Sequence, residues 1–196
     1  MVRLSTKEKI VNASLELFSE KGYKATTIKE IAEKVKVKEL TVYRHFGKKI
    51  NILEQINTMI SSPLAPIADY LKNEVVYDLE QDLFNIITLF EREIYQNKYL
   101  VKFILREDMT KFVIPEQYMK GEFLVNYFNT MIEKEKMRPF DTKSLTLLFI
   151  SNGLILFLIK DQFQNEGISS LITSEKYKKT VVGLFIAGLK LNEKDS

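Results

Sequence analysis

The stretch Leu40–Lys49, LTVYRHFGKK, holds the one histidine of a 196-residue chain, beside Tyr43 and Arg44 and just ahead of two lysines. Val42 and Phe46 stand four residues apart and so share one face of a helix. If that face is buried, Lys38, Glu39, Thr41, Tyr43, Arg44 and His45 are left on the others, a crowd of donors on little more than two turns. His45 is then either a catalytic base or part of a grip on something negatively charged. A catalytic histidine works with a nucleophile and an orienting group. Here there is no second histidine, no cysteine and no serine-rich elbow. The stretch is read as an anion grip, and the protein is expected not to be an enzyme. Lone carboxylates such as Glu91, Glu93 and Asp108 leave acid–base catalysis as a third reading.

The residues upstream give this helix its setting. Ser5 with Glu8, and Thr27 with Glu30, have the spacing of capping boxes and open two helices. Ile10, Ala13, Ser14, Leu17 and Phe18 form the inner face of the first, and Gly22 stops it. Ile28, Ile31, Ala32 and Val35 form the stripe of the second. A brief turn at Lys36–Val37 leads to the third. Two short helices joined by a tight turn, with another packed behind, make a helix-turn-helix, whose second helix enters the major groove. Lys48 and Lys49 begin a fourth helix. Cations there oppose the helix dipole, and a phosphate would turn that cost into a gain.

Charge agrees with this placement. Residues 1–60 carry 12 Lys and Arg against 7 Asp and Glu, a net of +5, whereas the remainder carries 17 against 19, a net of −2. The basic excess lies where an anionic partner is expected. The absence of cysteine excludes disulfides and thiolate metal sites and fits a reducing interior. No cofactor or metal is expected. With no long apolar segment at the N-terminus, the expected location is the cytoplasm. LTLLFISNGLILFLI, interrupted at Ser151–Gly153 and ended by Lys160, is expected to fall short of a bilayer and to form a buried helix, so no membrane partner is expected.

Residues 6–53 resemble the DNA-binding domain of the tetracycline-repressor (TetR) family of bacterial transcriptional regulators. KIVNASLELFSEKGYKATTIKEIAEKVKV and LTVYRHFGKKINIL carry the resemblance, through Phe18, Gly22, Thr26, Thr27, Ile31, Ala32, Thr41, Val42, Tyr43, His45, Phe46 and Lys49. The chain departs from the family at Lys36 and Lys38, where a turn glycine and a capping serine are usual, and at Leu40, usually a small residue. The resemblance implies phosphate contacts from Tyr43, His45 and Lys49, and an anchor to the DNA backbone at Thr27. Lys38, Thr41 and Arg44 are the candidates for base reading, and Lys29 and Lys48 complete the DNA-binding set. Leu40 could meet a thymine methyl.

The chain is therefore expected to be all-α. A three-helix DNA-binding domain at residues 1–50 would join a larger antiparallel helical domain at residues 51–196. Helices are expected from the break at SSPLAP to about Asn73, from a cap at Asp78, over about Tyr99–Lys111, from Pro115 to Lys136, from Asp141 to about Phe163, and over about Ser174–Leu189. In the family, the larger domain binds a small effector and makes a homodimer through the last two long helices. Gly153, Gly183, Ala187 and Gly188 suit either that interface or packing within one chain. The expected effector is small and hydrophobic, with Phe90, Phe103, Tyr127 and Phe149 as its candidate contacts. The function expected is a regulator, a repressor released by its ligand from palindromic double-stranded DNA. The alternative is an architectural DNA-binding protein without an effector.

Overall fold

The computed structural model describes residues 4–59, 64–107, 121–162 and 173–191. Among them it has ten helices and no strand. They are α1 (Thr6–Lys21), α2 (Ile28–Val35), α3 (Glu39–Phe46), α4 (Lys49–Met59), α5 (Ala65–Asn73), α6 (Leu79–Gln96), α7 (Lys98–Arg106), α8 (Glu122–Glu133), α9 (Thr142–Gln162) and α10 (Ser174–Leu189). The expected helix start at Pro115 lies outside the described residues.

Local chemistry sets most of the boundaries. Both capping boxes form: the Ser5 hydroxyl accepts from the Glu8 N–H at 3.2 Å, and the Thr27 hydroxyl from the Glu30 N–H at 3.2 Å. Gly22 ends α1 at φ 90°, and Gly47 ends α3 at φ 69°. Pro66 sits in the first turn of α5, where its missing N–H costs nothing. Asp78 accepts from the Gln81 N–H at 2.8 Å at the head of α6.

The chain folds into two compact units. The first contains residues 1–62 and returns for 97–114; the second contains 63–96 and 115–196. In the first, Ile10, Phe18, Ile31, Val42, Ile52, Ile56 and Phe103 share one buried core. α4 and α7 therefore belong to the same packing unit as the helix-turn-helix. In the second, α5, α9 and α10 each pack against α6, and α8 packs against α5 and α9.

Two expectations are corrected here. Phe103 is not beside Phe90, Tyr127 and Phe149: it is 1% exposed in the core of the first unit, 5.6 Å from the Phe18 ring. Its aromatic character marks it as a buried residue, but composition cannot say which helix covers it. Nor is α9 too short for a bilayer or buried all round, although it runs unbroken for 21 residues, as the sequence predicts. The Ser151 hydroxyl and the Asn152 amide donate back to the carbonyls of Leu147 and Leu148, both at 2.7 Å, and so stay within the helix. By length and composition α9 could cross a bilayer. Only one stripe of it is buried, with Leu145, Phe149, Leu156 and Phe157 inward and Leu147, Leu148 and Ile155 exposed.

Candidate nucleic-acid interface

α3 divides as its sequence requires. Val42 is fully buried and Phe46 nearly so, which holds the helix to the core of the first unit. Thr41 is half-buried, and Lys38, Leu40, Tyr43, Arg44, His45 and Lys48 are exposed. Leu40, at 67% exposure, contributes nothing to that core. Thr27 and Lys29 are exposed at the start of α2. The Thr27 hydroxyl already serves its own helix as the cap, and its N–H donates to Glu30 Oε2 at 2.7 Å.

The two departures noted in the turn have visible consequences. Lys36 takes the left-handed conformation, φ 60° and ψ 45°, that a glycine would adopt without strain. Lys38 occupies the N-cap of α3 without a side-chain capping bond. Each lysine is thus less favourable there than the glycine or serine it replaces.

Behind this surface, Lys21 pairs with Glu30, and Lys34 with Glu16 at 3.0 Å. The Lys21 contact, followed by the Thr27 N–H, holds the Glu30 carboxyl down at about 2. These pairs engage Glu30 and Glu16, whereas Lys29, Lys38, Arg44 and Lys48 are exposed.

Lys49 differs from the other candidates. Its ammonium donates to the carbonyls of Tyr23 at 2.8 Å and Thr26 at 2.7 Å, and lies 4.3 Å from the centre of the Tyr23 ring. Burial pulls its pKa below the ordinary lysine value, opposed by the charge of Glu30. Its neighbour Lys48 is exposed, as an anion contact should be.

The remaining effector candidates lie in the second unit, packed among the described residues. Phe90 covers Gly153 so closely that a methyl there would come within 2.2 Å of its ring. Phe149 packs edge-on against Phe185 at 5.1 Å. The space bordered by Phe90, Phe149, Phe123 and Leu124 is about 10 Å³, room for a single water. Tyr127 donates to Asp82 at 3.1 Å, and Tyr70 donates to the same carboxylate at 2.7 Å. Burial, reinforced by that carboxylate, raises the Tyr127 hydroxyl far above the usual phenol value and moves Tyr70 up to about 12. Asp82 escapes sequence reading because an acid in the first turn of a helix ordinarily faces solvent; its position on the Leu79–Leu83–Ile86 face is the one available hint.

An all-α chain with a donor-bearing recognition helix, held by two apolar anchors in a basic helix-turn-helix unit, is a DNA-binding regulator by construction. Residues 10–56 match the bacterial regulatory proteins, tetR family. Across 189 residues the chain is 30% identical to YvkB, an HTH-type transcriptional regulator of Bacillus subtilis, covering 94% of this chain and 97% of that one. It is 28% identical over 175 residues to IcaR of Staphylococcus aureus, the HTH-type negative transcriptional regulator of the biofilm operon icaADBC, covering 80% and 87%. The fold is shared with the TetR family regulator PfmR of Thermus thermophilus, at a TM-score of 0.67 and 20% identity over 97% of this chain and all of that one. The chain belongs to the tetR family of transcriptional regulators.

Proposed function

We propose that this protein is a homodimeric repressor that holds a palindromic operator with its first unit and lets go when a small, mainly apolar ligand enters its second. One observation carries the DNA half of the reading: α3 is pinned by Val42 and Phe46 and presents Lys38, Thr41, Tyr43, Arg44 and His45 outward. Tyr43, His45 and Lys48 grip phosphates, with Thr27 and Lys29 at the start of α2. Lys38, Thr41 and Arg44 read base edges. Repression is supported by the likeness to IcaR.

The dimer is supported by the second unit's surface. Leu147, Leu148 and Ile155 on α9 and Leu184 on α10 are 47–69% exposed. Gly183 and Gly188 have nothing within 4 Å of where a side chain would begin, so another helix can approach closely there. A second copy covering this surface keeps α9 out of any membrane and is consistent with a cytoplasmic protein.

A ligand at the expected aromatic contacts requires movement. A drug-sized ligand needs roughly 300–1,000 Å³, and the space beside Phe90 and Phe149 is about 10 Å³. A ligand seated between Phe90 and Phe149 favours a state in which these helices part, and its leverage on DNA equals its difference in affinity between the two states.

The test is selection of duplexes from a random-sequence pool by the full chain, followed by sedimentation of protein with the enriched duplex. Two copies on a site with two-fold symmetry is the expected result. A monomer at micromolar concentration with and without DNA, or a pool that never acquires a shared motif, would overturn the reading.

A further inference from the structure

The backbone between α1 and α2 is held by side chains from two other helices. Gly22 donates to the Phe18 carbonyl at 2.9 Å as α1 ends. The next residue, Tyr23, has both of its peptide groups engaged. Its N–H donates to Glu107 Oε1 at 2.9 Å, just past the end of α7, and its carbonyl accepts from Lys49 Nζ at 2.8 Å, at the start of α4. The same ammonium takes the Thr26 carbonyl at 2.7 Å, and Arg106 takes the Glu20 carbonyl at 2.6 Å. Thr26 and Thr27 are consecutive, so the last carbonyl that Lys49 holds belongs to the peptide that leads into the α2 cap.

We infer that Lys49 is a positioning residue for DNA binding, acting through the α1–α2 turn, and that it makes no phosphate contact of its own. Its two short bonds set where Thr27 and the first turn of α2 stand relative to α4. The Tyr23 ring at 4.3 Å gives the ammonium a second reason to stay inward. A lysine bound to phosphate would have to give up both carbonyls and leave that of the buried residue Thr26 without its donor. Lys48, one residue earlier and exposed, has no such tie and is the cation that meets phosphate at the head of α4.

This inference rests on the DNA-binding reading, and salt dependence separates the two. Wild type, Lys49→Met, Lys49→Arg and Lys48→Gln would be compared on the duplex enriched by the wild-type protein, between roughly 50 and 200 mM salt and well below each melting temperature. A phosphate contact contributes a slope of about 0.9 to the plot of log affinity against log salt, and up to twice that in a dimer. Lys48→Gln is expected to lose that slope with its melting temperature unchanged. Lys49→Met is expected to melt lower and to bind roughly tenfold or more weakly while folded, at the wild-type slope. Lys49→Arg, which keeps charge and donors, should recover most of the affinity. If Lys49→Met flattens the slope as Lys48→Gln does, or if the folded variant binds at full affinity, the inference is wrong. If Lys49→Met is unfolded at every temperature, the slope and affinity of Lys49→Gln decide by the same criteria. A wild type that enriches no duplex removes the DNA-binding reading and this inference with it, a result distinct from either failure of Lys49.

Discussion

Replacing Asp82 by alanine should destabilise the second unit by about 2–5 kcal/mol, the cost of leaving its buried hydrogen-bond donors without an acceptor. Asp82 is fully buried. It accepts from Tyr70 Oη at 2.7 Å, Tyr127 Oη at 3.1 Å and the Val76 N–H at 3.2 Å, so it joins α5, α6 and α8. Alanine orphans the two phenol hydroxyls, each costing about 1–3 kcal/mol, and leaves the Val76 N–H to find water. Removal of the carboxylate's own desolvation cost offsets part of this, which is why the upper end of the sum is not expected. If the cost comes from orphaned donors, it should largely vanish when the donors are removed too. Asp82→Leu in a Tyr70→Phe, Tyr127→Phe background should lie within about 1.5 kcal/mol of wild type, because replacing all partners by apolar groups of similar shape is nearly neutral. Urea unfolding followed by circular dichroism measures all of these variants. An Asp82→Ala loss below about 1 kcal/mol, or an equal loss with and without the two phenols, would refute the reasoning.

Gly153→Ala places a methyl 2.2 Å from the Phe90 ring and should cost about 1–3 kcal/mol in the same assay, with Phe90→Leu restoring part of the loss. Lys38→Ser supplies the missing cap of α3 and should raise stability by about 1 kcal/mol while weakening DNA binding, which thermal melts and a binding titration would show together. Stability should also fall in alkali. Tyr70 keeps its proton up to about 12 in the fold, whereas an unfolded tyrosine releases it near pH ~10. Its contribution is complete below pH ~10 and is lost as the pH rises through that window, at up to about 1.4 kcal/mol per pH unit for one group. Tyr70→Phe should make the decline shallower.

The DNA-binding half was legible because its signals are local. Ser5–Glu8, Thr27–Glu30 and Val42–Phe46 each act within one turn of helix, and distant contacts do not reverse them. The readings that changed all depended on contacts across long stretches of chain. Phe103 meets Phe18 from the far side of five intervening helices in sequence. Lys49 reaches back to Tyr23 and Thr26, contacts that its place at a helix start does not foretell. Asp82 is buried because Tyr70 and Tyr127 come to it, and no spacing around an isolated aspartate encodes that meeting. In α9 the helix itself was legible, but which face is covered was not, because α6 and α8 meet it from other parts of the chain.

The central claim is that the exposed side of α3 holds DNA. It is tested most directly by fluorescence anisotropy of folded Tyr43→Ala/His45→Ala and Arg44→Ala proteins on the enriched duplex and on a scrambled one, at several salt concentrations. Loss of Tyr43 and His45 should weaken binding to both duplexes alike. Loss of Arg44 should cost about 1–3 kcal/mol on the enriched duplex, relax the preference at one base pair of each half-site, and change scrambled binding less. Wild-type affinity for both duplexes in both folded variants would contradict the claim.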